Sequence, residues 1–173
     1  MKNETASIAT SAEGIGQHQQ ENAGKYLTFK LSSEEYGIEI LKAKEIIGLI
    51  PITQIPCTPI NIRGVINLRG NVIPVMDLRV KFGLEAIEDT SETCIIVVEA
   101  QREERTIRMG ILVDSVSEVL EVAASEIEEA PEFGVEVNAD FIKAMGKASD
   151  RVIVLLEIDR VLSTEALAEF ADA

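Results

Sequence analysis

The run Val72-Ile73-Pro74-Val75-Met76-Asp77-Leu78 recurs 80 positions later, without a gap, as Val152-Ile153-Val154-Leu155-Leu156-Glu157-Ile158. The same offset carries Ile62-Arg63-Gly64-Val65 onto Ile142-Lys143-Ala144-Met145. Earlier in each half, Gly37-Ile38-Glu39-Ile40 matches Gly110-Ile111-Leu112-Val113 at an offset of 73, which places Glu45-Ile46-Ile47 on Glu118-Val119-Leu120. The difference between the offsets is one loop insertion in the second half. A repeat of this kind restricts the chain to architectures that pair two equivalent units. Each unit is made of short β-branched and apolar runs broken by turn residues, and so reads as a small five-stranded β module of about 70 residues. Two such modules sharing an interface follow.

Local signals place the elements. Tyr26–Leu31 and Tyr36–Ile40 read as strands linked by a hairpin at Ser32-Ser33-Glu34-Glu35. Ile62–Leu68 and Val72–Met76 form a second pair around Arg69-Gly70-Asn71, where Gly70 can take the positive φ of a tight turn and Arg69 lies at or beside the tip. Pro74 cannot donate a ladder hydrogen bond, which predicts an edge or a bulge at that strand. Asp77 is placed to cap a short helix that Gly83 ends. Residues 1–24 are polar and lack hydrophobic period, so they read as a flexible tail. Residues 25–165 form the folded domain, with modules at about 25–88 and 92–162 that have room to exchange strands, and 163–173 reads as a helical segment.

Charge and composition narrow the function. The net charge of −14, with seven aromatics and no Trp, disfavours nucleic acid and direct membrane binding and leaves protein as the expected partner. No apolar run is long enough for a spanning helix or a signal peptide, so the expected location is cytoplasmic. In a reducing compartment Cys57 and Cys94 read as unpaired, buried, small hydrophobes. The single histidine, His18, lies in the tail, and no zinc pattern or phosphate-binding loop is present, so neither metal nor cofactor is expected. The acidic pairs Glu103-Glu104 and Glu128-Glu129 fit solvated loops better than a hydrolytic dyad.

The charge is also segregated. Leu41 to Lys81 holds six bases and two acids, whereas Met109 to Ile142 holds nine acids and no base. Two readings stay open: head-to-tail docking between oppositely charged modules, or an ordinary solvated acidic face.

The combination of Tyr36-Gly37-Ile38-Glu39-Ile40-Leu41-Lys42, the block Asn67-Leu68-Arg69-Gly70 followed by Ile73-Pro74-Val75-Met76-Asp77-Leu78-Arg79, and Val113-Asp114-Ser115-Val116-Ser117-Glu118-Val119 closely resembles CheW, the bacterial chemotaxis coupling family. The resemblance runs from about Tyr26 to Leu162. It implies two packed five-stranded SH3-like β-barrels with short helices, and a non-enzymatic adaptor. As partners it implies the cytoplasmic hairpin tip of chemoreceptors and the regulatory domain of the histidine kinase CheA, in arrays at the inner membrane face. It also implies a receptor groove between the barrels at Ala43, Glu45, Ile46, Gly64, Arg69, Val116 and Val119. Read from the residues alone, Ile46, Val116 and Val119 fit core positions as well. Gly64 fits strand packing, and Glu45 and Arg69 fit a mutual pair that shapes the groove. The rival readings are a related adaptor that precedes a phosphoacceptor receiver domain and a hydrolase using clustered carboxylates.

Overall fold

A computed structural model describes residues 20–85, 88–102, 104–129 and 141–162. His18, most of the 1–24 tail, Glu103 and the 163–173 segment lie outside the described residues. The fold begins slightly before residue 25: the Asn22 carbonyl is buried and accepts a 2.5 Å hydrogen bond from the Tyr26 hydroxyl.

Eleven strands are found among the described residues: β1 (Gly24–Leu31), β2 (Glu34–Glu39), β3 (Ala43–Gly48), β4 (Ile62–Leu68), β5 (Asn71–Asp77), β6 (Cys94–Arg102), β7 (Arg105–Val113), β8 (Ser115–Val122), β9 (Ile127–Glu128), β10 (Ile142–Ala148) and β11 (Arg151–Leu156). They form two sheets, one in the order β8-β1-β2-β11-β10-β9 and the other in the order β3-β6-β7-β5-β4. The repeat is visible in the backbone. The short helices Leu78–Lys81 and Ile158–Val161 obey the 80-position offset, as do the register shifts at Ile62/Gly64 and Ile142/Ala144.

Neither sheet is built from one half of the sequence. The hairpin β1–β2 joins β8 to β11, and the hairpin β6–β7 joins β3 to β5, so the modules at 25–88 and 92–162 exchange their opening hairpins. The two exchanges are equivalent in register: β5 pairs in parallel with β7 at Val75↔Gly110, and β11 pairs in parallel with β2 at Leu155↔Gly37. The crossings occur where the chain leaves each hairpin. A 3-10 turn at Ile40–Lys42 carries β2 into β3, and Asp114 alone separates β7 from β8. One residue is too few for a two-residue hairpin turn, so the chain bends into the other sheet.

Each sheet closes by the continuation of its own edge strand. β8 passes through a 3-10 turn at Ala124–Glu126 into β9, which pairs with β10. This is why one sheet counts six strands rather than five. In the other sheet the chain after β3 makes a single bridge, Thr53↔Val65, on the free side of β4. That bridge also accommodates Pro74. The N–H and C=O of Val65 both bond to Thr53 at 2.9 Å, so the Val65↔Pro74 pair carries no ladder bond between β4 and β5. Pairing of β5 with β7 begins only at Val75. The proline thus lies within a doubly flanked strand rather than an edge strand, at a point where its missing N–H costs nothing.

Three apolar clusters follow from period-two alternation. On β6, Ile95 and Val97 face the interior of one barrel, while Ile96, Val98 and Ala100 face the core shared with the other sheet. Leu27, Phe29 and Leu31 of β1 enter the same shared core, and Tyr26 enters the second barrel with Ile153 and Leu155. Strands buried on both faces explain the near-continuous apolar runs Cys94–Val98 and Met109–Val113.

A buried charge cluster pins the seam. Arg79 is 1% exposed; its Nε and Nη2 donate to the Asp77 carboxylate at 3.0 Å, and its Nη1 donates to Asp114 Oδ1 at 2.9 Å. The Ser32 N–H of the β1–β2 turn donates to Asp114 Oδ2 at 2.7 Å. Asp77 caps its helix as expected, accepting from the Arg79 N–H, and Gly83 follows at φ +70°. At the repeat-equivalent position the charge is reversed: Asp159 accepts from the Lys42 amine at 3.1 Å and from the Gln101 N–H at 3.1 Å.

Candidate functional site

The repeat pairs the candidate residues two by two. Ala43 of β3 corresponds to Val116 of β8, Glu45 to Glu118 and Ile46 to Val119. Ala43 and Val116 are half-buried against the core shared by the sheets. Ile46 and Val119 point outward, at 47% and 49% exposure. Ile46 and Val119 are therefore surface knobs rather than core. β3 and β8 are the first strands after each crossing and lie at sheet edges, so each lacks a paired strand on one side. Val116 does serve the core in part.

Glu45 and Arg69 meet. Arg69 Nη1 donates to Glu45 Oε2 at 3.0 Å and Nη2 donates to Oε1. Arg69 (φ +52°) and Gly70 (φ +87°) are the central residues of the β4–β5 turn, and two positive φ values give the twist that a two-residue hairpin needs. The Gly70 N–H donates to Asn67 Oδ1 at 2.9 Å, fixing the tip. Because β3 and β4 are opposite edges of their sheet, this bidentate pair is a clasp across the barrel opening. The hydrogen bonds and charge of Arg69 hold the Glu45 carboxyl below the usual carboxylate range, with Arg108 adding to the effect. The clasp therefore persists at neutral pH and opens only as acid protonates Glu45.

Gly64 is set by the closing bridge. Its φ is +144°, and a Cβ there would lie 2.1 Å from the Thr53 carbonyl oxygen. Glycine is required because the closing bridge passes over it. Gly64→Ala should lower stability by about 2 kcal/mol or more, read from the urea midpoint, and an unchanged midpoint would contradict this role.

The second barrel carries an equivalent clasp that the sequence did not reveal. Arg151 Nη2 donates to Glu118 Oε1 at 3.1 Å, and Nη1 donates to Glu35 Oε1 at 2.8 Å. The buried Thr28 hydroxyl donates to the Glu118 carbonyl at 2.8 Å and accepts from its N–H at 3.1 Å, so a side chain replaces ladder bonds where the β1–β8 register shifts. The correspondence of Glu45 with Glu118 was a signal to look for this cation. The arginine precedes Gly70 in one turn but follows Ser149-Asp150 in the other, which hid it from a fixed offset.

The charge segregation resolves within the molecule. Lys42 pairs with Asp159, Lys44 with Glu99, Arg63 with Asp77 and Asp89, Arg69 with Glu45 and Arg79 with Asp77 and Asp114. Lys81 lies 5.1 Å from the centroid of the Phe141 ring. The bases of the 41–81 segment are thus engaged within the molecule, and among the described acids of the other segment Asp114 is one of their partners. Cys94 is buried and free, with burial pushing its thiol pKa up. Cys57 is free but exposed, contrary to expectation, because it stands at φ +63° in the connection after β3 rather than in a strand. Among the described residues no acidic, His or Cys group is arranged to hold a metal, and no helix is long and apolar enough to cross a membrane.

Comparison with known proteins agrees with this architecture. The CheW-like domain family matches residues 25–166. The chemotaxis protein CheW of Klebsiella aerogenes is 40% identical over 165 residues, covering 94% of each chain. CheW of Rhizobium meliloti is 35% identical, over 83% of this chain and 96% of the relative. The crystal structure of the scaffolding protein TtCheW from Thermoanaerobacter tengcongensis superposes with a TM-score of 0.73 at 31% identity, covering 83% of this chain and 95% of that one. Two hairpin-exchanged β-barrels, the specific turn block around Arg69 and these matches converge, and the chain belongs to the CheW-like family of chemotaxis scaffold proteins.

Proposed function

We propose that this protein couples the cytoplasmic hairpin tips of chemoreceptors to the histidine kinase CheA, acting in the cytoplasm by binding alone and without catalysis. What supports the reading is the pair of exposed apolar knobs, Ile46 and Val119, at repeat-equivalent positions on edge strands of the two sheets, Ile46 adjoining the Glu45–Arg69 clasp. An amphipathic helix needs such knobs as sockets and a few fixed charges for register. The receptor seat in this reading comprises Ala43, Glu45, Ile46, Arg69, Val116 and Val119, with Gly64 supporting it through the barrel closure. Receptor state then reaches the kinase as a shift between populations of the bound assembly.

Co-sedimentation with receptor signalling fragments and CheA tests it directly: the chain should enter the receptor pellet and raise kinase activity there. The clasp gives a sharper test. Arg69→Glu should reduce kinase coupling about tenfold by setting two carboxylates against each other. If the clasp acts by closing the barrel, the charge-swapped pair Glu45→Arg with Arg69→Glu recovers most of that loss. A double variant as defective as the single one would show instead that these charges touch the partner.

A further inference from the structure

Neither sheet of this molecule is completed by one half of the chain. Among the described residues the first half by itself forms the hairpins β1–β2 and β4–β5, and the second half forms β6–β7 and the antiparallel run β9-β10-β11. The sheets are completed by pairings between the halves, β1–β8, β2–β11, β3–β6 and β5–β7. Ion pairs cross in the same way, Arg79 with Asp114, Lys42 with Asp159 and Arg151 with Glu35. None of these contacts depends on the two halves belonging to one molecule.

Residues 83–93 join the halves. Asp89 is fastened back onto the first half, where it accepts from Arg63 Nη2 at 3.0 Å. The chain then folds over in a turn: the Thr93 N–H donates to the Thr90 carbonyl at 3.2 Å, and the Thr90 N–H donates to Thr93 Oγ1 at 2.8 Å. Opening that turn gives up local hydrogen bonds, which water can replace, and no strand pairing.

We propose that a second copy of this chain is a partner of the first, each copy passing its second half to the other's first half through an opened Thr90–Thr93 hinge, in a closed dimer of two native bodies. Each body keeps the sheets, the shared core and the ion pairs of the single chain, so the two forms differ in free energy mainly through the connection. A short flexible tether holds one half around the other at an effective concentration of about 1 mM, and a second copy competes as the protein approaches that value. Once formed, the dimer reverts slowly, because separating the halves breaks all four pairings and opens the shared core. In each body Glu45 and Ile46 come from one copy and Val119 from the other. Such a dimer requires the fold alone, not a receptor.

The test uses the whole protein, unfolded in urea and refolded at about 1 µM and at about 1 mM. Size-exclusion chromatography with light scattering should find monomer at the lower concentration, about half of the protein as dimer at the higher, and a dimer that persists on dilution. Complementation then separates exchange from side-by-side docking. Leu27→Asp with Phe29→Asp disables the first half, and Met109→Asp with Ile111→Asp disables the second, all four side chains being buried in the shared core. Each double variant alone should lack a cooperative melt. Refolded together, the two should recover about half of the native far-ultraviolet signal in one cooperative transition, because the intact halves meet in one body of a mixed dimer. A mixture that stays unfolded overturns the proposal, as does a wild-type dimer that dissociates at once on dilution.

Discussion

Arg79→Ala should cost about 3–5 kcal/mol of folding stability, the largest loss expected from a single side chain in this protein. The guanidinium is buried and holds two carboxylates that are themselves 3% and 8% exposed, one capping the helix after β5 and the other at the crossing between β7 and β8. Removing it leaves Asp77 with the residue 79 backbone N–H and the longer 3.3 Å contact to Arg63, and leaves Asp114 with the Ser32 N–H. A buried charge without its partner costs more than the pair contributed, so Asp114→Asn on the Arg79→Ala background should return part of the loss. The mirror position gives a built-in control. Lys42 and Asp159 are 25% and 34% exposed, so Asp159→Asn should cost under about 1 kcal/mol. Urea unfolding of the variants measures both, and equal losses at positions 79 and 159 would refute the distinction.

The second large effect concerns the whole chain. Cutting it in the polar segment between Gly83 and Thr93 should give two fragments that do not fold alone but recover the native state when mixed or co-expressed. Four strand pairings, β1–β8, β2–β11, β3–β6 and β5–β7, run between the halves, and the shared core draws on both. Left to itself, the first half retains the hairpins β1–β2 and β4–β5, and two-stranded hairpins are marginal in water. Far-ultraviolet dichroism and thermal melts of each fragment and of the mixture provide the measurement. A cooperative melt from residues 1–88 alone would mean that the exchanged hairpins are not needed to close a barrel.

Much of the fold was legible because it is repeated. The offset of 80 aligned the strands that became β4 and β5 with β10 and β11, and the structure shows that the two short helices and the two register shifts obey it; the offset of 73 aligned β2 with β7 and β3 with β8. The Arg69-Gly70 turn was legible because few residues tolerate consecutive positive φ values. The candidate site was legible in its pairing of Glu45 with Arg69. Its exposed knobs were not, since Ile46 and Val119 carry the same apolar side chains that fill the core, and only the folded structure shows that they lie outside it. Arg151 escaped notice because contact across a barrel mouth depends on the length of the turn, not on spacing along the chain.

The amino-acid order alone determined that two similar β units exist, where their strands and turns fall, and that a strongly acidic chain of this kind meets other proteins. Those are local properties, fixed by side-chain alternation, turn chemistry and net charge. Which hairpin serves which barrel was decided only in three dimensions. A β-strand edge offers the same backbone donors and acceptors to any suitable partner, and its choice is set by where short connections such as Ile40–Lys42 and Asp114 direct the chain. Tertiary structure likewise decided that Arg79 is an internal pin while Arg69, in the same sequence block, is a surface clasp.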